Sequence, residues 1–180
     1  MKDSKFDIVV IGGGSAGVSA AVSAAKQGKR TLLIEKNKHL GGLAAHAEVG
    51  TICGLFRYEI SDSFVYNVGA FARKFAEEIQ NLSGTKPIKE STGLKFLPFV
   101  PKVFQTYCEE LMIQNGVNYY CNAELLEVVK TETKISEIRV SINDRVENFN
   151  LKAIVDASGK SIVSSLLGHD LINTRIKQSA

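Results

Sequence analysis

The sequence predicts an α/β protein in which helices cover a parallel sheet and an antiparallel β-meander is inserted before the last strand. Two observations carry this prediction. Residues 6–35 run from an apolar strand through a glycine-rich turn and a helix to a second apolar strand, which is the pattern of a βαβ unit. Three strand-forming segments at 124–130, 135–142 and 146–151 are joined by short turns and precede a buried strand at 153–156.

The first elements are defined by apolar runs and by the glycines that end them. Residues 6–11 finish in an apolar, β-branched run that is typical of a buried parallel strand. Residues 15–27 are rich in Ala and Ser and suit a tightly packed helix, with Gly28 as its C-terminal stop. Residues 31–34 form the second buried strand, which ends at Glu35.

The middle of the chain predicts two more helices around a stretch of irregular backbone. Residues 61–80 carry apolar side chains at spacings of three and four, which indicates an amphipathic helix. Residues 82–100 contain several glycines and prolines and are predicted to be irregular. A helix is expected over 101–115, because its proline stands where the first turn tolerates one, and a short strand follows at 117–121. After the meander and its following strand, a short helix ends near Gly168.

Composition and charge argue against several classes of partner. With 180 residues, of which 44% are hydrophobic and 23% charged, the chain can form one ordinary domain with a real core. The net charge is only +3 and the lysines are scattered, so a nucleic-acid partner is not expected. No run approaches the roughly 20 apolar residues that span a bilayer, so a membrane is not expected either. Cys53, Cys108 and Cys121 have neither CxxC nor zinc spacing. We therefore expect no metal site, and reduced thiols in a cytoplasmic protein.

A Gly-x-Gly-x-x-Gly motif lies directly between the first predicted strand and helix. Gly12 allows the tight turn, Gly14 lets the backbone approach a pyrophosphate, and Gly17 lets helix and strand pack closely. The helix begins at Ser15 and Ala16, where free backbone N–H groups and a partial positive charge favour phosphates. A plain glycine-rich turn is the alternative, but the flanking strand and helix favour a dinucleotide site.

Glu35 ends the second strand about 20 residues after the glycine motif, where dinucleotide-binding proteins carry an acidic residue. Its carboxylate can accept both hydroxyls of an adenosine ribose and would repel a 2′-phosphate. A solvated charge at a strand end is the weaker interpretation at this spacing. The residues therefore predict FAD or NAD as the ligand, rather than NADP.

Several segments together resemble one family of flavoproteins. Residues 7–17, followed by Glu35 and Lys36, are similar to the start of the FAD-dependent oxidoreductases of the glutathione reductase-like fold. Residues 40–44 and 50–56 resemble the subfamily often called simply FAD-dependent oxidoreductase. The resemblance implies a Rossmann-like parallel sheet (the FAD/NAD(P)-binding fold) with an inserted antiparallel β-meander.

Two later motifs distinguish FAD from NAD within this resemblance. Gly41 and Gly42 resemble a second glycine motif that approaches the pyrophosphate and ribityl chain. Residues 156–159 are similar to a late Asp-Ala-Thr-Gly element that returns the chain to the cofactor. Enzymes that bind only NAD need neither this second approach to the cofactor nor the three-stranded insertion, so FAD is the expected cofactor. The chain departs from its relatives at residues 39–40, where His-Leu replaces an Arg that often precedes the glycine doublet.

The resemblance also implies the residues of the site. The adenine ring is expected near the backbone of Leu125, although an ordinary strand start is the alternative there. Cys53 and His46 fall in the segment expected near the isoalloxazine. Cys53 is either a redox thiol or an ordinary small packing residue. His46 either stabilises the reduced flavin or is an ordinary surface or core histidine. The expected cofactor-binding residues are Gly12, Gly14, Ser15, Ala16, Gly17, Glu35, Lys36, Gly41, Gly42, Leu43, Leu125, Ala157, Ser158 and Gly159.

We accordingly expect an FAD-binding oxidoreductase, or its FAD-binding part, acting on a small molecule that the sequence does not name. Residues 1–50 and 101–168 would form a discontinuous FAD-binding domain, 51–100 an excursion toward the substrate, and 169–180 a tail. The chain is expected to be incomplete and to need a complementing C-terminal portion or subunit. Two alternatives remain: an NAD-dependent Rossmann enzyme, and a non-catalytic nucleotide-binding module of a larger enzyme.

Overall fold

The structure, a computed structural model, describes residues 4–47, 49–58 and 62–171. Ten strands and five helices are assigned within these ranges. In chain order they are β1 (Ile8–Ile11), α1 (Ser15–Lys26), β2 (Thr31–Ile34), α2 (Gly42–His46), β3 (Thr51–Cys53), α3 (Ala70–Ser83), β4 (Ile88–Lys89), β5 (Lys95–Pro98), α4 (Pro101–Gln114), β6 (Asn118–Tyr120), β7 (Ala123–Thr131), β8 (Lys134–Ile142), β9 (Arg145–Asn150), β10 (Ala153–Asp156) and α5 (Ile162–Leu166).

A four-stranded parallel sheet forms the centre of the fold, in the order β10-β1-β2-β6. The chain moves from β1 to β2 in one direction, whereas β10 pairs with the opposite edge of β1. The order of the strands therefore reverses at β1. In open α/β sheets ligands bind at such a switch point, beyond the carboxyl ends of the strands. The predicted parallel sheet is confirmed, but β10, which was predicted to be buried, is an edge strand with three of its four residues exposed.

Alternate residues of β1 face two different layers, because successive side chains of a strand point to opposite faces. Val9 packs in one core cluster with Phe149 of the meander. Val10 packs in a second cluster with Val18 of α1 and Leu111 of α4. Val9 and Val10 are both fully buried, and burying a side chain of this size contributes roughly 1.5–3 kcal/mol. The meander therefore covers one face of the sheet, and the long helices cover the other.

The predicted meander is confirmed as an antiparallel sheet in the order β7-β8-β9. Asn143 and Asp144 connect β8 to β9 with φ angles of 47° and 64°. Two consecutive residues with positive φ are the requirement of a type I′ hairpin turn, and Asn and Asp tolerate this conformation better than most residues. The short turn brings β9 directly back to lead into β10.

The helix predicted over 61–80 is wrong in its first half, since α3 begins only at Ala70. Residues 65–67 instead pair with the segment at 55–57. The backbone N–H of Asn67 donates to the carbonyl of Leu55 at 2.7 Å. Because these groups pair with a distant segment, they cannot form helical bonds. The spacing of aromatic residues had indicated a helix, but tertiary contacts decided the backbone.

The irregular region predicted over 82–100 is also corrected by the structure. α3 continues to Ser83, and β4 and β5 pair with β3 in a three-stranded antiparallel sheet in the order β3-β5-β4. Gly93, with φ of 86°, turns the chain between β4 and β5. Leu97 of β5 is fully buried and packs in a small core with Leu55 and Ala76. β5 pairs with β3, which is distant in sequence, so the local residues do not indicate this pairing. The glycines and prolines of the segment therefore led to the prediction of irregular backbone.

Two further observations describe the remainder of the fold. The glycine- and alanine-rich segment after residue 40 contains a short helix, α2, that the sequence did not predict. Within the described part of the chain, none of the helices has the length and apolar character needed to cross a bilayer.

Candidate cofactor cleft

A cleft of about 840 Å³ lies at the carboxyl ends of β1, β2 and β10, at the switch point of the sheet. Its volume is within the range of small-molecule and cofactor sites. Backbone hydrogen bonds hold its loops together: the N–H of Gly12 donates to the carbonyl of Ile34, and that of Ala157 to Ile11, both at 2.8 Å. Segments far apart in sequence therefore meet here because their strands are parallel neighbours.

The three glycines of the motif have different structural roles. At Gly12, where φ is 102°, a Cβ would lie 2.5 Å from the carbonyl oxygen of Ala157. A Cβ at Gly17 would overlap the carbonyl oxygen of Gly12. Both positions therefore need glycine for the fold itself. A Cβ at Gly14 would meet only the Cα of Gly42, at 3.8 Å, which is an ordinary contact. Apart from its chain neighbours, no other described residue comes within 4 Å of that position, and Gly14 lines the cleft.

The second glycine motif packs directly against the first. The N–H of Gly41 donates to the carbonyl of Gly13 at 2.8 Å. A Cβ at Gly42 would lie 2.9 Å from the Cα of Gly14. Both residues of the doublet have positive φ angles, 104° and 56°, which favour glycine. Backbone therefore forms two walls of the cleft, where a side chain would occupy the space of a ligand.

The first turn of α1 presents an uncompensated positive end to this space. Ser15 and Ala16 are exposed and line the cleft. Their N–H groups have no acceptor within the helix, because the first residues of any α-helix lack one. The first turn contains no acidic residue that would neutralise the helix dipole. An anion would be stabilised at this position.

Glu35 is a buried carboxylate with most of its acceptor positions already in use. The residue is 5% exposed. Its Oε2 accepts the N–H of Gly13 at 2.6 Å. Its Oε1 accepts both the backbone N–H and the side-chain Nδ2 of Asn37, each at 2.7 Å. A carboxylate has about four acceptor positions. Glu35 thus ties the glycine loop to the loop after β2 and keeps one free position, on Oε2.

Asp156 organises the third loop of the cleft. Its Oδ1 accepts the backbone N–H of Ser158 at 3.0 Å and the hydroxyl at 2.6 Å, while Oδ2 accepts the N–H of Val163 in α5 at 2.9 Å. Burial raises the pKa of this carboxyl, but the hydrogen bonds from Ser158 and Val163 outweigh it, so the pKa lies below its ordinary value. The ionised carboxylate therefore holds the 157–159 loop against the start of α5.

All but one of the predicted cofactor-binding residues line this cleft. Gly17 is the exception, because it lies on the buried face of α1 against Gly12. Leu43, at the start of α2, is 79% exposed in it. The residues brought together are Gly12, Gly14, Ser15, Ala16, Glu35, Lys36, Gly41, Gly42, Leu43, Leu125, Ala157, Ser158 and Gly159. Which of them contact a cofactor stays a prediction.

The two candidates for the reacting end are separated. His46 lines the cofactor cleft, is exposed, and places Nε2 3.1 Å from the carbonyl oxygen of His39. Cys53 is exposed on β3 and lines a second, smaller cavity. No hydrogen bond or ion pair between His46 and Cys53 is present among the described residues. A role that needs both side chains at one atom is therefore not supported by this arrangement.

The cleft also contains residues that the sequence analysis did not single out. Asn37 is visible only through its bonds to Glu35, and nothing in the local sequence marks it. Lys160 lines the cleft and directly follows Gly159, so its place next to the 156–159 motif could have indicated it. The additional lining residues are Ile11, Ile34, Asn37, Ala44, Ala123, Glu124, Lys160 and Ile162. Among the described residues, no group of three or more His, Cys, Asp or Glu side chains converges on a metal-sized point.

A switch-point cleft with two glycine walls, a free helix N-terminus and a buried acid defines a dinucleotide-binding α/β protein. The particular family follows from sequence comparison. Residues 7–175 match the family described as FAD dependent oxidoreductase, and the chain belongs to this family. The match confirms FAD as the cofactor, which the second glycine motif and the meander had predicted.

Individual relatives agree with this assignment. The chain is 41% identical over 73 residues to a soluble pyridine nucleotide transhydrogenase of Chromohalobacter salexigens, covering 40% of this chain and 15% of that protein. It is 27% identical over 157 residues to a digeranylgeranylglycerophospholipid reductase of Thermoplasma volcanium, covering 86% and 39% respectively. The chain thus spans well under half the length of these relatives.

Solved structures show the same fold. The THI4 protein of Thermovibrio ammonificans superimposes with a TM-score of 0.62 at 17% identity, covering 96% of this chain and 64% of that one. The flavin-dependent brominase Bmp2 superimposes with a TM-score of 0.60 at 22% identity, covering 91% and 40%. These similarities confirm the Rossmann-like fold predicted from the sequence.

Proposed function

We propose that this chain holds the adenosine diphosphate half of FAD for an oxidoreductase acting on an organic substrate. One observation carries the proposal: in the part of the chain that the structure describes, a Cβ at Gly14 would meet only the Cα of Gly42, at 3.8 Å, and Gly14 lines the cleft. When bound, FAD supplies the electron transfer, and the protein supplies position and electrostatics. The chain's own residues bind and orient the cofactor.

The pyrophosphate is placed at the N-terminus of α1. The N–H groups of Ser15 and Ala16 donate to its oxygens, and the absence of an acid in the first turn leaves the helix dipole free to stabilise the charge. Lys36 and Lys160 line the same cleft and add positive charge. Any side chain at Gly14 would displace the phosphates from these donors.

The adenosine ribose is placed against Glu35. The free acceptor position on Oε2 takes one hydroxyl without any rearrangement. A second hydroxyl would have to replace the side chain of Asn37 on Oε1, and Asn37 is exposed and able to turn away. A 2′-phosphate would meet a buried negative charge, so the site selects FAD against 2′-phosphorylated nucleotides. The adenine ring is placed toward Ala123 and Leu125, which lie beside Glu35 in the cleft.

Competition between nucleotides tests this proposal. FAD is titrated into the purified chain by fluorescence, with ADP, FMN or 2′-phospho-ADP-ribose as competitors. ADP should compete and FMN should not, because the cleft recognises the adenosine half. The 2′-phosphorylated nucleotide should compete at least tenfold more weakly than ADP. Competition by FMN without competition by ADP would overturn the proposal.

Catalysis is tested separately from binding. Reduction of an artificial electron acceptor by the chain loaded with FAD would show that it is an enzyme by itself. Binding without turnover would favour the nucleotide-binding module of a larger enzyme, which needs a complementing C-terminal portion or subunit. A cytoplasmic location, predicted from the unpaired cysteines, also stays a proposal and is tested by cell fractionation.

A further inference from the structure

A second cavity of about 340 Å³ lies between α1, β3, α3 and the start of α4. It is smaller than the cofactor cleft but still within the range of ligand-binding sites. Ser15 and Ala44 line both cavities. The two spaces are therefore neighbours that share a wall at these two residues.

The inner wall of this cavity is aromatic. Phe75 lies at the centre of the wall, with its ring centroid 5.1 Å from Phe104 and 5.8 Å from Phe71. Phe99 continues the wall at 5.0 Å from Phe104. The interplanar angles range from 34° to 68°, so the rings form a contoured surface of faces and edges. Such a surface favours a flat, apolar ligand through offset and edge-to-face contacts.

The polar groups of the cavity are few and uncharged. Among its described lining residues there is no Asp, Glu, Lys, Arg or His. Ser15, Thr51 and Cys53 provide two hydroxyls and a thiol. The hydroxyl of Ser19 donates to the carbonyl of Ser15 at 2.8 Å, so its proton is already used. No charged side chain of the cavity would offset the hydration that a charged ligand loses on entry, and this desolvation is costly.

We propose that this cavity binds a small uncharged organic molecule with an aromatic or similarly flat body and at most one or two polar atoms. The hydroxyls of Ser15 and Thr51 would bond to a hydroxyl or carbonyl of that molecule. Its role as a substrate beside the cofactor rests on the proposed function, whereas the binding itself does not require FAD.

Two probes that differ in one charge test the inference. N-phenyl-1-naphthylamine is neutral and fluoresces when it enters an apolar site, and 8-anilinonaphthalene-1-sulfonate carries the same rings with a sulfonate. The full chain should bind the neutral probe with one-to-one stoichiometry and at least tenfold more tightly than the sulfonate. Equal affinity for the two probes would show that the cavity does not exclude charge and would overturn the inference.

A matched pair of variants locates the probe. Ala72 is exposed and lines the mouth of the cavity, so Ala72→Leu adds bulk there without disturbing the core. Lys74→Leu introduces the same side chain at an exposed position of α3 that does not line the cavity. Affinity for the neutral probe should fall at least tenfold in Ala72→Leu and remain unchanged in Lys74→Leu. Equal losses or no loss in the two variants would place the probe elsewhere.

Titrations with FAD distinguish this inference from the proposed function. The neutral probe should stay bound when FAD is saturating, and Ala72→Leu should bind FAD as the parent does. Displacement of the probe by FAD would mean that the cofactor's own ring occupies the cavity, which overturns the inference and leaves FAD binding intact. Probe binding in a chain that fails to bind FAD would support the inference and overturn the proposed function.

Discussion

Gly14→Val tests whether glycine at position 14 is required for cofactor binding or for folding. At Gly14 the backbone has φ of −73° and ψ of −177°, an extended conformation that valine adopts easily. A Cβ there contacts only Gly42, at 3.8 Å. The folded protein should therefore accept the substitution, with a cost of about 1 kcal/mol or less for changing the residue that caps α1.

The loss of cofactor affinity should be much larger than the loss of stability. The valine side chain projects into the space where the pyrophosphate meets the N–H groups of α1. Loss of about two charge-assisted hydrogen bonds, at roughly 1.5–3 kcal/mol each, gives a decrease of about 3–6 kcal/mol. This energy corresponds to a reduction in affinity of roughly 10² to 10⁴-fold.

Gly69→Val is the matched control. Gly69 also caps a helix, α3, in an extended conformation, with φ of −122° and ψ of −173°. A Cβ at Gly69 would meet nothing within 4 Å, and the residue does not line the cleft. Circular dichroism and urea unfolding should give similar stabilities for the two variants. FAD titration should show a large loss of affinity in Gly14→Val and none in Gly69→Val. A folded Gly14→Val protein that binds FAD as the parent does would refute the placement of the pyrophosphate.

Three further substitutions or reactions test the remaining parts of the site. Glu35→Gln should weaken ADP binding and lower the free energy of unfolding in urea, each by about 1–3 kcal/mol, because the amide nitrogen of glutamine cannot accept the hydrogen bonds that a carboxylate oxygen accepts. An unchanged affinity and an unchanged urea midpoint would show that Glu35 holds neither the ribose nor the loop. Ellman's reagent at pH 8 should modify Cys53 rapidly and spare the other thiols of the folded protein, because burial raises the pKa of Cys108 to about 12 and that of Cys121 to about 11. Rapid reaction in Cys53→Ser would contradict this. Asp156→Asn should lower the free energy of unfolding at pH 7. The difference from the parent should shrink as pH falls below 3.8 through the lowered pKa of Asp156, because the parent's carboxylate then becomes protonated. A difference that does not depend on pH would mean that the charge is not involved.

Local sequence sufficed wherever the backbone itself carries the signal. The turn after β1 needs Gly12 because its φ of 102° favours glycine, and it needs Gly17 because the carbonyl oxygen of Gly12 leaves no room for a Cβ. The turn at 143–144 needs residues that accept positive φ, and Asn and Asp stand there. The two central strands, β1 and β2, are continuous apolar runs because both of their faces are buried. These requirements lie within a few residues of each other, so the sequence alone determined the βαβ unit, the meander and the motif.

Other features depended on contacts between distant segments, and only the tertiary structure decided them. Residues 62–69 have helical spacing, but the carbonyl of Leu55 takes the N–H of Asn67 and the helix starts later. The sequence placed Glu35 at the ribose, but only the fold shows Gly13 and Asn37 on its carboxylate. Hydrogen bonds and packing across long sequence separations have no local signature. The local sequence thus determined the nucleotide-binding loop, whereas the pairing of β1 with β2 and β10 determined the cleft around it.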